Sequence, residues 1–171
     1  MNFEFFARQL ARNTDRIESL VEGVTSEEAV WRPDSESWSI VEVINHLYDE
    51  EREDFRVRLN IILHSPEKPL PDIDPQGWVV VRKYNERDLK RSLKAFLEER
   101  NSSLQWLNSL EEPDWSASYE MPWGAIRAGD MFAAWVTHDH LHMRQLVEIH
   151  RAYTELMAEP YSLRYAGDWG E

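Results

Sequence analysis

Four long segments of this chain carry hydrophobic residues at the three- and four-residue intervals of an amphipathic helix, with charged residues on the opposite face. They span residues 2–24, 39–63, 86–110 and 129–150. No segment is long enough, with the two-residue alternation of a strand, to build a sheet. Helices of this kind bury their apolar stripes against one another, so the pattern predicts an all-α fold, a bundle of four helices.

Local sequence features predict where several of these helices begin and end. The tetrapeptides Thr25–Glu28 and Ser39–Glu42 match the capping box, in which the first and fourth residues exchange hydrogen bonds through their side chains. The first predicts a short helical turn, and the second predicts the start of a long helix. We also expect Gly23 to end the first helix, and Asn85 and Asp130 to cap the third and fourth long helices.

Two long connections interrupt the helical pattern. Residues 64–78 contain four prolines and predict a loop, with a length typical of lids and crossovers. The three valines at 79–81 could form a strand, but this strand would be too short and isolated to build a sheet. Residues 111–127 predict a second irregular stretch. Beyond the last long helix we expect a final turn at 152–157 and an aromatic tail, 161–169, that packs onto the body of the protein.

Length and composition favour one globular domain. The 171 residues are 42% hydrophobic, which is enough for a sizeable core. Because no internal repeat, low-complexity tract or linker divides the chain, we predict a single domain over residues 1–171. The first residues lack a basic segment followed by a long apolar run. We therefore expect neither a signal peptide nor a membrane anchor, and a cytoplasmic location.

The charge balance and the absence of cysteine exclude several classes of function. Lys and Arg number 19 against 32 Asp and Glu, so the net charge is −13. That charge repels phosphate backbones and anionic lipids, and we expect no nucleic-acid or membrane partner. With no cysteine in the sequence, disulfides, thiolate metal ligands and a cysteine nucleophile are excluded.

Histidines interrupt the apolar face of the fourth long helix. A helix turns by about 100° per residue, so His138 and His142 share one face, while His140 points away. The other residues of that face are Met131, Ala134, Trp135, Gln145 and Ile149. A buried polar group without a partner costs about 1–3 kcal/mol, so something must satisfy both rings. Either a divalent metal does so, or these are core histidines bonded to the backbone, to Asp139 or to Gln145.

A metal centre would need a third ligand from a facing helix. His46 is the best candidate because it borders the apolar stripe of its own helix, whereas His64 and His150 lie at or beyond helix ends. Three imidazoles would leave one coordination position open, as catalytic zinc sites do and structural ones do not. The acidic run at 49–54 predicts a solvated face, from which Glu50 is placed to reach the site.

Several short motifs, spread over nearly the whole chain, occur together in one known family. They are Trp31-Arg32-Pro33, Ser37-Trp38-Ser39-Ile40, His46-Leu47, the block from Gly129 to Trp135 followed by His138, His142 and Gln145, and the ending Tyr165-Ala166-Gly167-Asp168-Trp169. Together they resemble the DinB/YfiT-like superfamily. The resemblance implies a DinB/YfiT-type four-helix bundle with long crossover connections and a metal site at His46, His138 and His142. One departure is Leu141, because many relatives have a second histidine at that position.

The resemblance implies varied reactions, and two hypotheses of function follow. In the first, the protein is a metal-dependent enzyme, a thiol S-transferase or a hydrolase, with Glu50 as an acid/base group and Gln145 orienting a ligand. In the second, it is a non-catalytic module in which the metal staples the bundle or helps to sense a small molecule.

The expected cofactor and partners follow from the same site. An all-nitrogen ligand set suits Zn²⁺, Ni²⁺ or Fe²⁺. We expect a small-molecule substrate, with a low-molecular-weight thiol as a candidate because the chain has no cysteine of its own. A second copy of the chain, in a homodimer, is a further candidate partner.

Overall fold

The computed structural model describes residues 2–169. In chain order the elements are α1 (Phe3–Val21), α2 (Ser26–Val30), α3 (Ile40–Asp49), a π-helical segment (Glu50–Phe55), α4 (Arg56–His64), α5 (Pro75–Val81), a 3₁₀ turn (Tyr84–Glu86), α6 (Leu89–Ser109), β1 (Ser118–Met121), β2 (Gly124–Arg127), α7 (Ala128–Ala158) and a second 3₁₀ turn (Arg164–Ala166).

The four predicted long helices are present and form the bundle, so the all-α prediction is confirmed. The most extensive packing joins α3 to α6 and α1 to α7. The second long helix runs from Ile40 to His64 without a break, but its centre is a six-residue π-helical segment. A π segment has a wider hydrogen-bond spacing than an α-helix, so it changes which side chains face the bundle interior.

The core consists of two apolar clusters, and the predicted metal-binding residues lie between them. One cluster fills the space between α4 and the start of α7, and the other lies between α3, α6 and the later part of α7. Phe55 of the first cluster lies 5.0 Å from His138 between ring centroids. Trp38 packs on the second cluster, and its ring centroid lies 4.9 Å from that of His46. The polar rings therefore interrupt the apolar core at one level of the bundle.

Residues 111–127, predicted as irregular, contain a β-hairpin, so that prediction is wrong. The strands β1 and β2 pair antiparallel, with Tyr119 opposite Ile126, and both side chains pack against the first core cluster. At the turn, Gly124 has φ of 126°, a backbone conformation that favours glycine. Strands of four residues contain too few alternations to stand out in the sequence.

The predicted loop at 64–78 ends early, because α5 begins at Pro75. The Asp74 side chain caps this helix by accepting a hydrogen bond from the Gly77 backbone N–H at 3.0 Å. Proline at the first helical position has no N–H to leave unpaired, which suits it to this place. The three valines are therefore helical, and only Val79 is buried.

The first long helix ends, and the third long helix begins, within a few residues of the predicted positions. Gly23, with φ of 79°, follows α1. Asn85 does not cap α6, because its Oδ1 instead accepts a hydrogen bond from Ser39 Oγ at 2.6 Å. Asp88 is the cap, and it accepts from the Arg91 backbone N–H at 2.9 Å.

The fourth long helix is longer at both ends than predicted. Its cap is Arg127, and Asp130 is the fourth residue of the capping box, accepting from the Arg127 backbone N–H at 3.1 Å. Asp130 therefore stabilises this helix start from inside the first turn. At the other end, the helix continues through the predicted separate turn at 152–157 to Ala158.

The aromatic tail mostly points into solvent instead of packing onto the body. Tyr161 is 80% exposed and Tyr165 is fully exposed, so the predicted packing is wrong for both. Trp169 is half exposed and lies beside Arg151, whose guanidinium carbon is 5.6 Å from a ring centroid.

Candidate metal centre

Three histidines from two helices converge on one point. His46 projects from α3, and His138 and His142 project from adjacent turns of α7. The Nε2 atoms of His46 and His138 lie 3.3 Å apart, and those of His138 and His142 lie 3.1 Å apart. One ligand atom from each ring falls within 4.8 Å of the others, so together they could hold a metal ion.

The remaining histidines lie away from this point, although His150 lies within α7 and not at or beyond a helix end as predicted. His140 is exposed on the opposite face of α7, and His64 is exposed at the end of α4. His150 is half-buried, and its Nε2 contacts the backbone carbonyl oxygen of Leu20 at 2.5 Å.

The start of α3 is fixed by the capping box that the sequence predicts. Ser39 Oγ accepts from the Glu42 backbone N–H, and Glu42 accepts in return from the Ser39 backbone N–H at 2.8 Å. Arg32, from the Trp31-Arg32-Pro33 motif, donates its Nε–H to the same Glu42 carboxylate at 2.9 Å. These bonds hold the first turn of the helix, two turns before His46.

Trp38, directly before that capping box, supports two of the three imidazoles. Its ring lies parallel to that of His142, with 6.2 Å between centroids, and tilted against that of His46. The sequence placed Trp38 in a family motif without assigning it this contact. Because the tryptophan touches rings from both helices, it helps to set the spacing of α3 and α7 at the site.

Burial keeps the three imidazoles neutral. Burial, with a smaller contribution from the neighbouring His142 and His138, lowers the pKa of His46 to about 2. Burial, with smaller contributions from His142 and Arg100, lowers the pKa of His138 to about 3. The pKa of His142 is also lowered by burial, partly offset by its bond to Gln145. Metal ions bind neutral imidazole, so these rings are in the required form at neutral pH.

The hydrogen bonding of His142 fits a metal at the point of convergence. Its Nδ1 lies 2.8 Å from Gln145 Oε1, an acceptor, so this nitrogen carries the ring proton. The Nε2 atom must then present a lone pair toward the Nε2 atoms of His46 and His138. A cation at the point of convergence would satisfy this lone pair together with those of the other two Nε2 atoms.

Glu50 lies where the sequence placed it, one turn along from His46. Its Oε1 is 4.0 Å from His46 Nδ1, and among residues 2–169 neither atom has a hydrogen-bond partner. Burial and the neighbouring carboxyl of Asp54 raise the pKa of Glu50. With its pKa raised to about 9, this carboxyl holds a proton at neutral pH and can donate it to a ligand.

The acidic run at 49–54 is not the solvated face that the sequence predicted. Four of its members are buried: Asp49, Glu50, Glu51 and Asp54. Asp49 ends α3, and the other three lie in the π-helical segment, which turns them inward. Arginines pair with Asp49, Glu51 and Asp54. A straight-helix projection assigns faces without this segment, which is why the prediction was wrong.

Arg100 is the functional-site neighbour that the sequence analysis missed. Its guanidinium is 1% exposed and donates to Asp139 at 2.7 and 2.9 Å and to Glu51 at 2.7 Å. Asp139 is therefore occupied by Arg100 and cannot be the partner of His138 or His142. The sequence pattern does indicate that Arg100 is buried, because it falls on the apolar stripe of α6, four residues after Phe96.

A cavity of about 890 Å³ opens beside the histidines. Its wall includes all three rings, Glu50 and Gln145, together with Pro33, residues 36–38 and part of α7. From the predicted lid at 64–78, only Pro75 and Gln76 line it. The histidines therefore lie on a surface that a small molecule can reach.

The family model for the DinB superfamily matches residues 9–146, most of the chain. The chain belongs to the DinB superfamily. The match includes His46, His138 and His142, and it confirms the family that the sequence motifs suggested.

A solved structure from this superfamily has the same fold. It is YfiT from Bacillus subtilis, described as a probable metal-dependent hydrolase with an unusual four-helix bundle topology. The sequences are 18% identical, the TM-score is 0.78, and the alignment covers 89% of this chain and 87% of YfiT. A search of curated proteins found no match.

The departure from the family pattern at Leu141 affects the cavity wall. Leu141 lines the cavity and is 61% exposed. It lies between His138 and His142 in sequence but on another face of α7, so the convergence of the rings does not depend on it.

Proposed function

We propose that this DinB-superfamily protein is a metal-dependent enzyme that acts on a small molecule at His46, His138 and His142. The proposal rests on one observation: three neutral imidazoles lie on the wall of an open cavity. Among residues 2–169, no carboxylate joins these three nitrogens as a fourth candidate ligand. An incomplete ligand set of this kind is typical of catalytic metal sites.

Bound here, a divalent metal such as Zn²⁺, Ni²⁺ or Fe²⁺ supplies Lewis-acid chemistry that polarises a carbonyl or lowers the pKa of a water or thiol. Two reaction classes use that chemistry: hydrolysis and transfer of a low-molecular-weight thiol. The description of YfiT as a probable metal-dependent hydrolase supports the first class by analogy of fold.

The residues around the histidines take complementary roles. Glu50, buried at the cavity wall with an unpartnered oxygen, is placed to donate its proton to a ligand in the cavity. Gln145 fixes the tautomer of His142. Trp38 covers the rings and excludes water from one side of the site.

The non-catalytic alternative rests on the position of the metal centre. It joins α3 to α7, as a structural metal ion that holds two helices together (a staple) would.

One experiment separates the two functions. Metal content is measured on freshly purified protein, which is then assayed with several small thiols plus an electrophile, beside an ester and amide hydrolysis panel. Turnover that a chelator abolishes and added metal restores supports the enzyme. A loaded protein with no turnover and a saturated coordination sphere by X-ray absorption supports the staple.

The expected partners and location remain predictions. Within residues 2–169, no helix combines the length and apolar character needed to cross a bilayer. The charge of −13 supports the absence of nucleic-acid and membrane partners, and salt-sensitive binding of random duplex DNA would contradict it. Light scattering would test the predicted homodimer, and cell fractionation would test the cytoplasmic location.

A further inference from the structure

The charged groups on the cavity wall favour one kind of ligand. The wall contains one cationic side chain, Arg144, and its Nε–H already pairs with Glu148 at 2.7 Å. The wall also contains Glu36, which is exposed and pairs with no arginine or lysine among residues 2–169. Outside the histidine cluster, the charge left free to meet a ligand is therefore negative.

Three other arginines, none of which lines the cavity, are also paired with carboxylates. Arg32 pairs with Glu42, Arg58 pairs with Asp54, and the Arg82 guanidinium bonds to carboxylates of the acidic run. Within residues 2–169, the cavity wall therefore offers an anionic group no arginine or lysine that lacks a carboxylate partner. The net charge of −13 adds a long-range repulsion of the same sign.

Two further features suit a polar, cationic ligand: an aromatic ring that attracts cations, and a buried oxygen that can accept a hydrogen bond from a ligand. Trp38 lies on the wall two residues from Glu36, and a tryptophan ring attracts cations to its face. Glu50 is only 4% exposed, lines the same cavity, and has an oxygen with no hydrogen-bond partner among the described residues. A buried polar atom of this kind costs free energy until a ligand satisfies it.

We propose that the ligand of this cavity carries an ammonium group, bound beside Trp38 and Glu36, while its other end reaches the three histidines. This inference rests on the proposed function and narrows its substrate class to amine-bearing small molecules, such as aminothiols. Molecules whose only charges are carboxylates or phosphates are disfavoured.

A matched series of small thiols tests the charge preference. The three probes are thiocholine, its neutral tert-butyl analogue and mercaptoethanesulfonate, which share a two-carbon thiol arm and differ in charge. Each is titrated into the Co²⁺-loaded protein, and binding is followed by the sulfur-to-cobalt charge-transfer absorption. Thiocholine should bind about tenfold more tightly than the neutral analogue, from cation–π and charge attraction together, and the sulfonate should bind least. Raising the salt concentration should narrow the differences.

Charge-neutralising variants locate the effect. Glu36→Gln should lower the preference for thiocholine over the neutral analogue by several-fold, with Co²⁺ loading unchanged. Glu120→Gln makes the same chemical change on an exposed position of β1, outside the cavity, and should leave the preference intact. Equal binding of all three thiols, or tighter binding of the sulfonate, would overturn the inference while leaving the metal site standing.

An experiment without metal tests the proposed ammonium site separately from the proposed metal-dependent function. The oxygen series, consisting of choline, its neutral tert-butyl analogue and isethionate, is compared on metal-free protein by saturation-transfer NMR. Selective saturation of choline, lost in Glu36→Gln, supports the ammonium site even if Co²⁺ fails to load and the proposed metal function is wrong. The absence of a choline preference counts against the ammonium site whatever the metal does.

Discussion

The Arg100 guanidinium donates two hydrogen bonds to the Asp139 carboxylate inside the bundle, where neither side chain is more than 1% exposed. Asp139 is the neighbour of His138 in sequence but lies on the other side of α7. The ion pair fixes the rotation of α7 from its buried side, and so it contributes to the direction in which His138 and His142 point.

Removing Arg100 should strongly destabilise the fold. Arg100→Leu leaves the Asp139 and Glu51 carboxylates buried without their cation, and breaking such a pair costs about 3–5 kcal/mol. Urea denaturation followed by circular dichroism measures the change in the free energy of unfolding. The double variant Arg100→Leu with Asp139→Asn should recover part of the loss, because one uncompensated charge is removed.

A surface pair provides the control for this prediction. Lys94 and Glu98 are exposed on the same helix and 3.7 Å apart, so Lys94→Leu should change stability by about 1 kcal/mol or less. An Arg100→Leu protein as stable as the Lys94→Leu protein would mean that the buried network does not hold α7.

Helical periodicity was enough to predict the four long helices and the shared face of His138 and His142. It could not show that His46 would meet them, because that contact depends on how α3 packs against α7. The family resemblance supplied this step. The local spacing also predicted correctly that His140 would face away from the site.

The acidic run and the hairpin show why the remaining features escaped prediction. The inward direction of Glu51 and Asp54 depends on the π-helical segment, and Glu51 also pairs with Arg100, which is distant in sequence. The pairing of β1 with β2 depends on packing against the core cluster, since neither strand has a long alternating pattern. Both are tertiary effects that override a local pattern.

Metal content should depend on three of the six histidines. His46→Ala, His138→Ala and His142→Ala should each lower bound metal several-fold, because each removes one converging nitrogen. His140→Ala and His64→Ala should retain wild-type content, since both side chains are exposed away from the site. Elemental analysis by mass spectrometry makes the comparison, and full retention in His46→Ala would remove α3 from the site.

Alkaline pH should destabilise the protein through Tyr84. This side chain is fully buried and its hydroxyl donates to Asp49, so burial and that carboxylate raise the pKa of Tyr84 well above its usual range. The protonated phenol is favoured in the fold. Its contribution is complete below the unfolded pKa of about 10 and is lost as pH rises from there through the folded value.

The measurement is the free energy of unfolding between about pH 8 and 11, a range that brackets the unfolded pKa. Tyr84→Phe should be less stable at neutral pH, because Asp49 loses a donor, but should show a smaller loss of stability on going to alkaline pH. Tyr165→Phe changes a fully exposed tyrosine and should follow the wild-type profile. Identical profiles for Tyr84→Phe and wild type would show that Tyr84 does not titrate as proposed.

Gln145 should determine metal affinity without being a ligand. Its Oε1 accepts the proton of His142 Nδ1 at 2.8 Å, which leaves the lone pair of Nε2 directed at the other two imidazoles. Gln145→Leu removes that acceptor, so the ring can adopt the other tautomer or rotate. Loss of such a supporting bond typically lowers metal affinity about 10- to 100-fold. Competition with a chromogenic chelator measures the affinity.

Two variants serve as controls. Gln145→Glu keeps an acceptor oxygen and should bind metal at least as tightly as wild type. Gln105→Leu removes an exposed glutamine on α6 and controls for the loss of an amide elsewhere. Wild-type affinity in Gln145→Leu would show that the packing of Trp38 alone holds the His142 ring in place.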